Sequence, residues 1–227
     1  IDMRLNIVKR TVMATALAVV TAVAGIAGQA QAFSFSDNEL VLAIYGSGSS
    51  DALFNLGNAN TVAQNGFTAD AALQARILAG IGAVGGSVKY TIIGVHDLGA
   101  GTQAVWGGTP SLLSSINQAQ LGLTGQSEAM FGWLGQGTAF TGDTIGKTDG
   151  RAFTPNLNSD GSNTLLGSWP VFMGGGLEQQ LNLVKGVISP TGAQTLSQMG
   201  IATLTSGGAF SVGSVAAVPL PGVVVLF

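Results

Sequence analysis

Two pairs of β-patterned runs, each broken by a glycine turn, constrain this chain more than anything else in it. From Ser87 to Leu98, Val88, Tyr90 and Ile92 alternate with Lys89 and Thr91 before the apolar Ile93. That period of two sends successive side chains to opposite faces of a strand. Thr102 to Trp106 can pair back on this run across Gly99-Ala100-Gly101. Ile201-Ala202-Thr203-Leu204-Thr205 faces Ala209-Phe210-Ser211-Val212 across Ser206-Gly207-Gly208 in the same way, so both read as hairpins.

Further strands are expected around them. Phe33-Ser34-Phe35-Ser36 and the apolar run Leu40 to Tyr45 read as a strand pair, or as one long strand kinked at Asp37-Asn38, ended by the turn Gly46-Ser47-Gly48-Ser49-Ser50. Trp169 to Met173 and Leu181 to Val187 add apolar runs. The clearest helix covers Thr68 to Ile81, with Thr68 as cap, Asp70 in the first turn and Ala71, Ala72, Leu73, Ala75, Ile77 and Leu78 following. Thr109-Pro110 opens a second helix to about Gln120, and Gln126 to Leu134 a short third. Residues 135–168 are rich in Gly, Thr, Asn and Asp and read as a long surface loop. The expected fold is mostly β: a sandwich-like single domain over roughly residues 33–214 with one or two packed helices.

The chain's beginning reads as a secretory signal peptide over residues 1–32. Ile1 and Asp2 precede Met3, the expected start; Arg4, Lys9 and Arg10 come before an apolar run from Val12 to Ala27, and Ala30-Gln31-Ala32 is a small-x-small cleavage site. Thr21, Gly25 and Gly28 interrupt the run, which favours a cleaved leader over an anchor. Cleavage after Ala32 removes 32 of 227 residues and leaves 195, enough for one core. The remainder carries five basic residues (Arg76, Lys89, Lys147, Arg151, Lys185) against ten acidic ones, a net of five minus ten, or −5. That balance argues against a nucleic-acid partner. Only 8% of the chain is charged while 35 residues are Gly, which suits a turn-rich β surface protein. There is no cysteine, so no disulfide supports the fold.

At the other end, Val218-Pro219-Leu220-Pro221 isolates residues 215–227 from the domain, because each proline fixes its own backbone and restricts the residue before it. The short apolar run Gly222 to Phe227 follows; it is far from the ~20 residues a span requires. This element resembles the C-terminal sorting tail of the PEP-CTERM proteins of Gram-negative bacteria, in a truncated VPLP form with Leu220 where Glu is usual. Phe33-Ser34-Phe35-Ser36-Asp37-Asn38-Glu39-Leu40-Val41-Leu42-Ala43-Ile44-Tyr45-Gly46, Leu56-Gly57-Asn58-Ala59 and Thr203-Leu204-Thr205 resemble the mature domain of a group of these proteins. The resemblance implies export by the Sec machinery, transient anchoring in the inner membrane, removal of the tail by an exosortase, and release to the cell surface or extracellular matrix, often with exopolysaccharide and biofilm. It carries no catalytic residues. The gene is expected to continue past Phe227 through more apolar residues to a basic end.

Several motifs imitate chemistry. Gly80-Ile81-Gly82-Ala83-Val84-Gly85 matches G-x-G-x-x-G, but a helix precedes it and a strand follows, the reverse of a dinucleotide site, so it reads as a helix-ending turn. Gly142-Asp143-Thr144-Ile145-Gly146-Lys147-Thr148 has one residue too few between its glycines for a phosphate loop. Asn156-x-Asn158-x-Asp160-Gly161 opens like a calcium loop, but Gly167 stands where the closing Glu belongs. His96 and Asp97 are strand neighbours and point apart, so they form no base and orienting partner. With one His, no Cys and no Gly-x-Ser-x-Gly elbow, no catalytic, metal or cofactor residues are assigned.

The expected function is therefore a non-enzymatic structural protein of the cell surface or matrix. A glycan-binding module is the alternative, with Tyr45, Trp106, Trp133 and Trp169 as sugar-stacking candidates against the plainer reading that they fill the core.

Overall fold

The computed structural model describes residues 32–111, 123–135, 139–157 and 174–214, all within the compact unit Ala32–Phe227. Ala30, Trp169, the Val218–Pro221 element and most of the expected helix from Thr109 to Gln120 lie outside the described residues. The described chain is a mostly β single domain.

Its first long strand, β2 (Glu39–Tyr45), pairs antiparallel with β3 (Ser50–Asn58) on one side and β5 (Lys89–Gly99) on the other. From Leu40 to Tyr45 every residue of β2 is buried, because both faces of the strand are covered. Leu40, Leu42 and Ile44 enter one core, and Val41, Ala43 and Tyr45 the other. A continuous apolar run is the outcome when neither face meets water.

The sheet grows outward through β6 (Thr102–Thr109), β10 (Gln180–Ile188), β11 (Gln194–Leu204), β12 (Phe210–Ser214) and the two-residue β4 (Phe67–Thr68), all antiparallel. β8 (Thr144–Gly146) closes the opposite side against β3, and β9 (Gly175–Gly176) adds to β5. Both sequence-predicted hairpins are present. β5 and β6 turn at Gly99-Ala100-Gly101, and β11 and β12 at Ser206-Gly207-Gly208. A separate two-stranded ribbon pairs β1 (Ala32–Phe33) with β7 (Phe140–Thr141). The opening segment is thus two strands with a turn at Asp37-Asn38, where Asn38 is left-handed (φ 62°), and β1 pairs with β7 rather than with β2.

Helices cover both faces of the sheet. α1 (Ala59–Asn65) touches β3 and β2 near one end of the strand order and β12 and β11 near the other, so the sheet curls around it. α2 (Ala71–Val84) lies on the same side and buries Ile77, Gly80 and Val84, the spacing of one helical face. Asp70 caps it: its carboxylate accepts from the Leu73 amide at 2.8 Å. This corrects the expectation of Thr68, which is taken into β4 instead. Gly85 ends the helix with φ 62°, a conformation open to glycine. On the other face, α3 (Leu123–Gly135) and α4 (Phe153–Leu157) pack with Phe33, Phe35 and Phe140.

Four helices stand among the described residues, α3 containing the expected short helix Gln126–Leu134, and the described part of residues 135–168 is not simply a loop. Its sparse apolar residues Phe140, Ile145, Ala152 and Phe153 are buried. Their partners are remote: Phe140 stacks at 5.0 Å on Phe33, and Phe153 lies 5.0 Å from Tyr45 and 6.3 Å from Trp133.

Candidate functional site

Two polar groupings among the described residues could bear chemistry, a buried carboxylate and the histidine. The first is built on β3. Asp51 is fully buried, and its carboxylate accepts from the Thr154 amide and the Thr154 hydroxyl at the start of α4. Burial drives the Asp51 pKa up, while the Thr154 donors and the Lys147 charge oppose the rise. Tyr45 sits close by, its phenol pushed well above the usual range by burial and then by the Asp51 charge. Lys147 does not reach Asp51; its ammonium donates to the Gly46 carbonyl. The arrangement caps a short helix from a distant strand and closes a loop over the core. Sequence reading gave Asp51 no role, since its partner is 103 residues away.

The second place holds the histidine. Nδ1 of His96 lies 2.8 Å from Oδ2 of Asp37, and the other Asp37 oxygen accepts from the Asp97 amide at 2.9 Å. The partner carboxylate is therefore Asp37 and not the adjacent Asp97, in keeping with the opposite faces of neighbouring strand residues. Among the described residues no hydroxyl hydrogen-bonds the other imidazole nitrogen. The pair has an oriented imidazole without a nucleophile, and it pins the β1–β2 turn to β5.

The motif imitations resolve structurally. Gly80 and Gly82 lie inside α2 and Gly85 ends it, with β5 following, which is the reverse order of a dinucleotide loop. In the P-loop imitation the Asp143 carboxylate accepts from Nε of Arg76 at 2.8 Å and from its Nη2, so Asp143 serves as an ion-pair partner of α2. Of the calcium-loop imitation, Asn156 falls in α4 and the residues from Asn158 on lie outside the described residues. Among the described residues no three His, Cys, Asp or Glu side chains gather to hold a metal ion, and no helix is long and apolar enough to cross a membrane.

Three of the four sugar-stacking candidates lie among the described residues, and they follow the plainer reading that they fill the core. Tyr45 is 5% exposed, Trp106 0% and Trp133 1%, so none of the three presents a ring face at the surface. Trp133 donates to the Arg151 carbonyl at 2.8 Å and stacks against Phe35 at 5.3 Å. Trp106 lies in the opposite core under the ammonium of Lys185, 4.9 Å from its ring centre. Its Nε1 and the Thr91 hydroxyl are buried without a hydrogen-bond partner among the described residues. They sit on opposite faces of the sheet, so they do not converge on a common ligand.

No family model, no curated protein and no solved structure matches this chain.

Proposed function

We propose that this is an exported structural protein of the bacterial surface or matrix, carried out by the leader that ends near Ala32 and sorted through the PEP-CTERM-like element Val218–Pro221. It has no enzymatic role in this reading. Its transient partners are the Sec machinery and an exosortase, and its surroundings are extracellular, alongside exopolysaccharide.

One observation supports a structural over a ligand-binding role. The described aromatics that could stack on a sugar, Tyr45, Trp106 and Trp133, are all spent on the two cores. An aromatic platform needs an open face, and these have none. The buried Asp51 and the Asp37–His96 pair are likewise engaged in holding loops and turns.

The test is made on cells of the source organism expressing the intact gene. Extracellular protein is collected and its termini are read by mass spectrometry. A mature product beginning at Phe33 and ending before Gly222 is expected, and a Pro219→Ala, Pro221→Ala double variant should stay with the membrane fraction. A product found only in the cytoplasm with its leader intact sinks the proposal.

A further inference from the structure

Phe33, the residue that leader removal leaves at the start of the domain, belongs to the core. It is 5% exposed, faces Phe140 across the β1–β7 ribbon and stacks on that ring at 5.0 Å. On the other side of the bond, Ala32 is paired with Thr141. The bond between Ala32 and Phe33 therefore lies inside a strand pair.

The residues that follow are held one by one. The Ser34 carbonyl accepts from the Asn55 side chain at 2.8 Å, Phe35 is buried against Trp133, and the Ser36 amide donates to the Glu39 carboxylate at 2.7 Å. β7 is fixed too. The Ala139 carbonyl just before it accepts from Arg151 at 2.8 Å, and the Arg151 carbonyl in turn accepts from Trp133. The first residues of a domain are commonly loose, and proteolysis concentrates where the backbone is exposed and free. This junction has the opposite character.

We infer that the bond between Ala32 and Phe33 is cut before the domain folds, and that formation of the β1–β7 ribbon then seals it. A peptidase takes its substrate as an extended segment, and a segment already paired, with two phenyl rings in the core, must first be released from the fold. A chain that folds first keeps its leader. Hydrolysis consumes one water and leaves a carboxylate on Ala32 and an ammonium on Phe33, while the pairing of Phe33 with Phe140 stays with the mature chain. This deepens the export reading and rests on its placing of the leader's end at Ala32.

The test uses the full chain, unfolded in urea and diluted into detergent solution either directly onto bacterial signal peptidase or after a period of folding without it. The new first residue is read by mass spectrometry. Cleavage before Phe33 should be at least about ten-fold slower for the folded chain than for the freshly diluted one, because cutting follows the population of the opened form. Phe140→Ala, folded in the same way and with its β signal in circular dichroism retained, should be cut at least about ten-fold faster than the folded parent. Phe67→Ala, which loosens the remote contact with Phe210 in the opposite core, should leave the junction sealed. Equal rates for the folded and freshly diluted parent overturn the inference, as does a Phe140→Ala chain cut no faster than Phe67→Ala. A freshly diluted chain that is not cut, or is cut before a residue other than Phe33, overturns the leader reading itself and the inference with it.

Discussion

The backbone amide and the hydroxyl of Thr154 both donate to the buried carboxylate of Asp51, at 2.6 Å each, and join α4 to β3. Burial is the larger influence on this group and raises its pKa above the ordinary carboxylate value. The folded chain therefore keeps the proton at pH values where the unfolded chain has lost it. Stability from this site is complete below the ordinary carboxylate pKa and declines as pH rises through the raised one. Asp51→Asn should flatten that decline. Urea midpoints of both proteins measured from about pH 3 to 7 check it, and equal slopes would refute it.

Gly80 and Gly82 share α2 but not its surroundings. A Cβ on Gly80 would stand 2.9 Å from the Ala52 Cβ and 3.0 Å from Phe54, whereas one on Gly82 meets nothing within 4 Å. Gly82→Ala should stabilise by about 0.5–1 kcal/mol through helix propensity. Gly80→Ala has the same gain but overpacks the contact with β3, at a cost of roughly 1–3 kcal/mol. Thermal melts should move in opposite directions for the two variants.

The true cap of α2 is separable from the one expected in its place. Asp70→Ala removes the acceptor of the Leu73 amide and should cost about 1 kcal/mol. Thr68→Ala leaves that bond intact and should cost less than half as much. Equal losses in chemical denaturation would contradict the assignment.

Burial of Trp106 and Trp133 has a spectroscopic consequence. In a Trp169→Phe background, emission should be blue-shifted and weakly quenched by acrylamide, and titration with the cells' own exopolysaccharide should leave it unchanged. A saturable change in emission would return the glycan-binding alternative to consideration.

What the sequence determined by itself is the part of the fold that neighbours decide. The β5–β6 and β11–β12 hairpins follow from alternation around a glycine turn, and α2 with its terminal Gly85 follows from a helical apolar face. Those preferences lie within a few residues of each other and are legible without the rest of the chain. Tertiary structure alone decided that β1 pairs with β7, that Phe140 and Phe153 leave a polar stretch for the core, and that His96 takes Asp37 as its partner. It also decided that Tyr45, Trp106 and Trp133 face inward, since an aromatic residue suits a core and a sugar platform equally well until its neighbours are known. Each of these contacts joins residues tens of positions apart, and its energy depends on what surrounds the site rather than on local propensity.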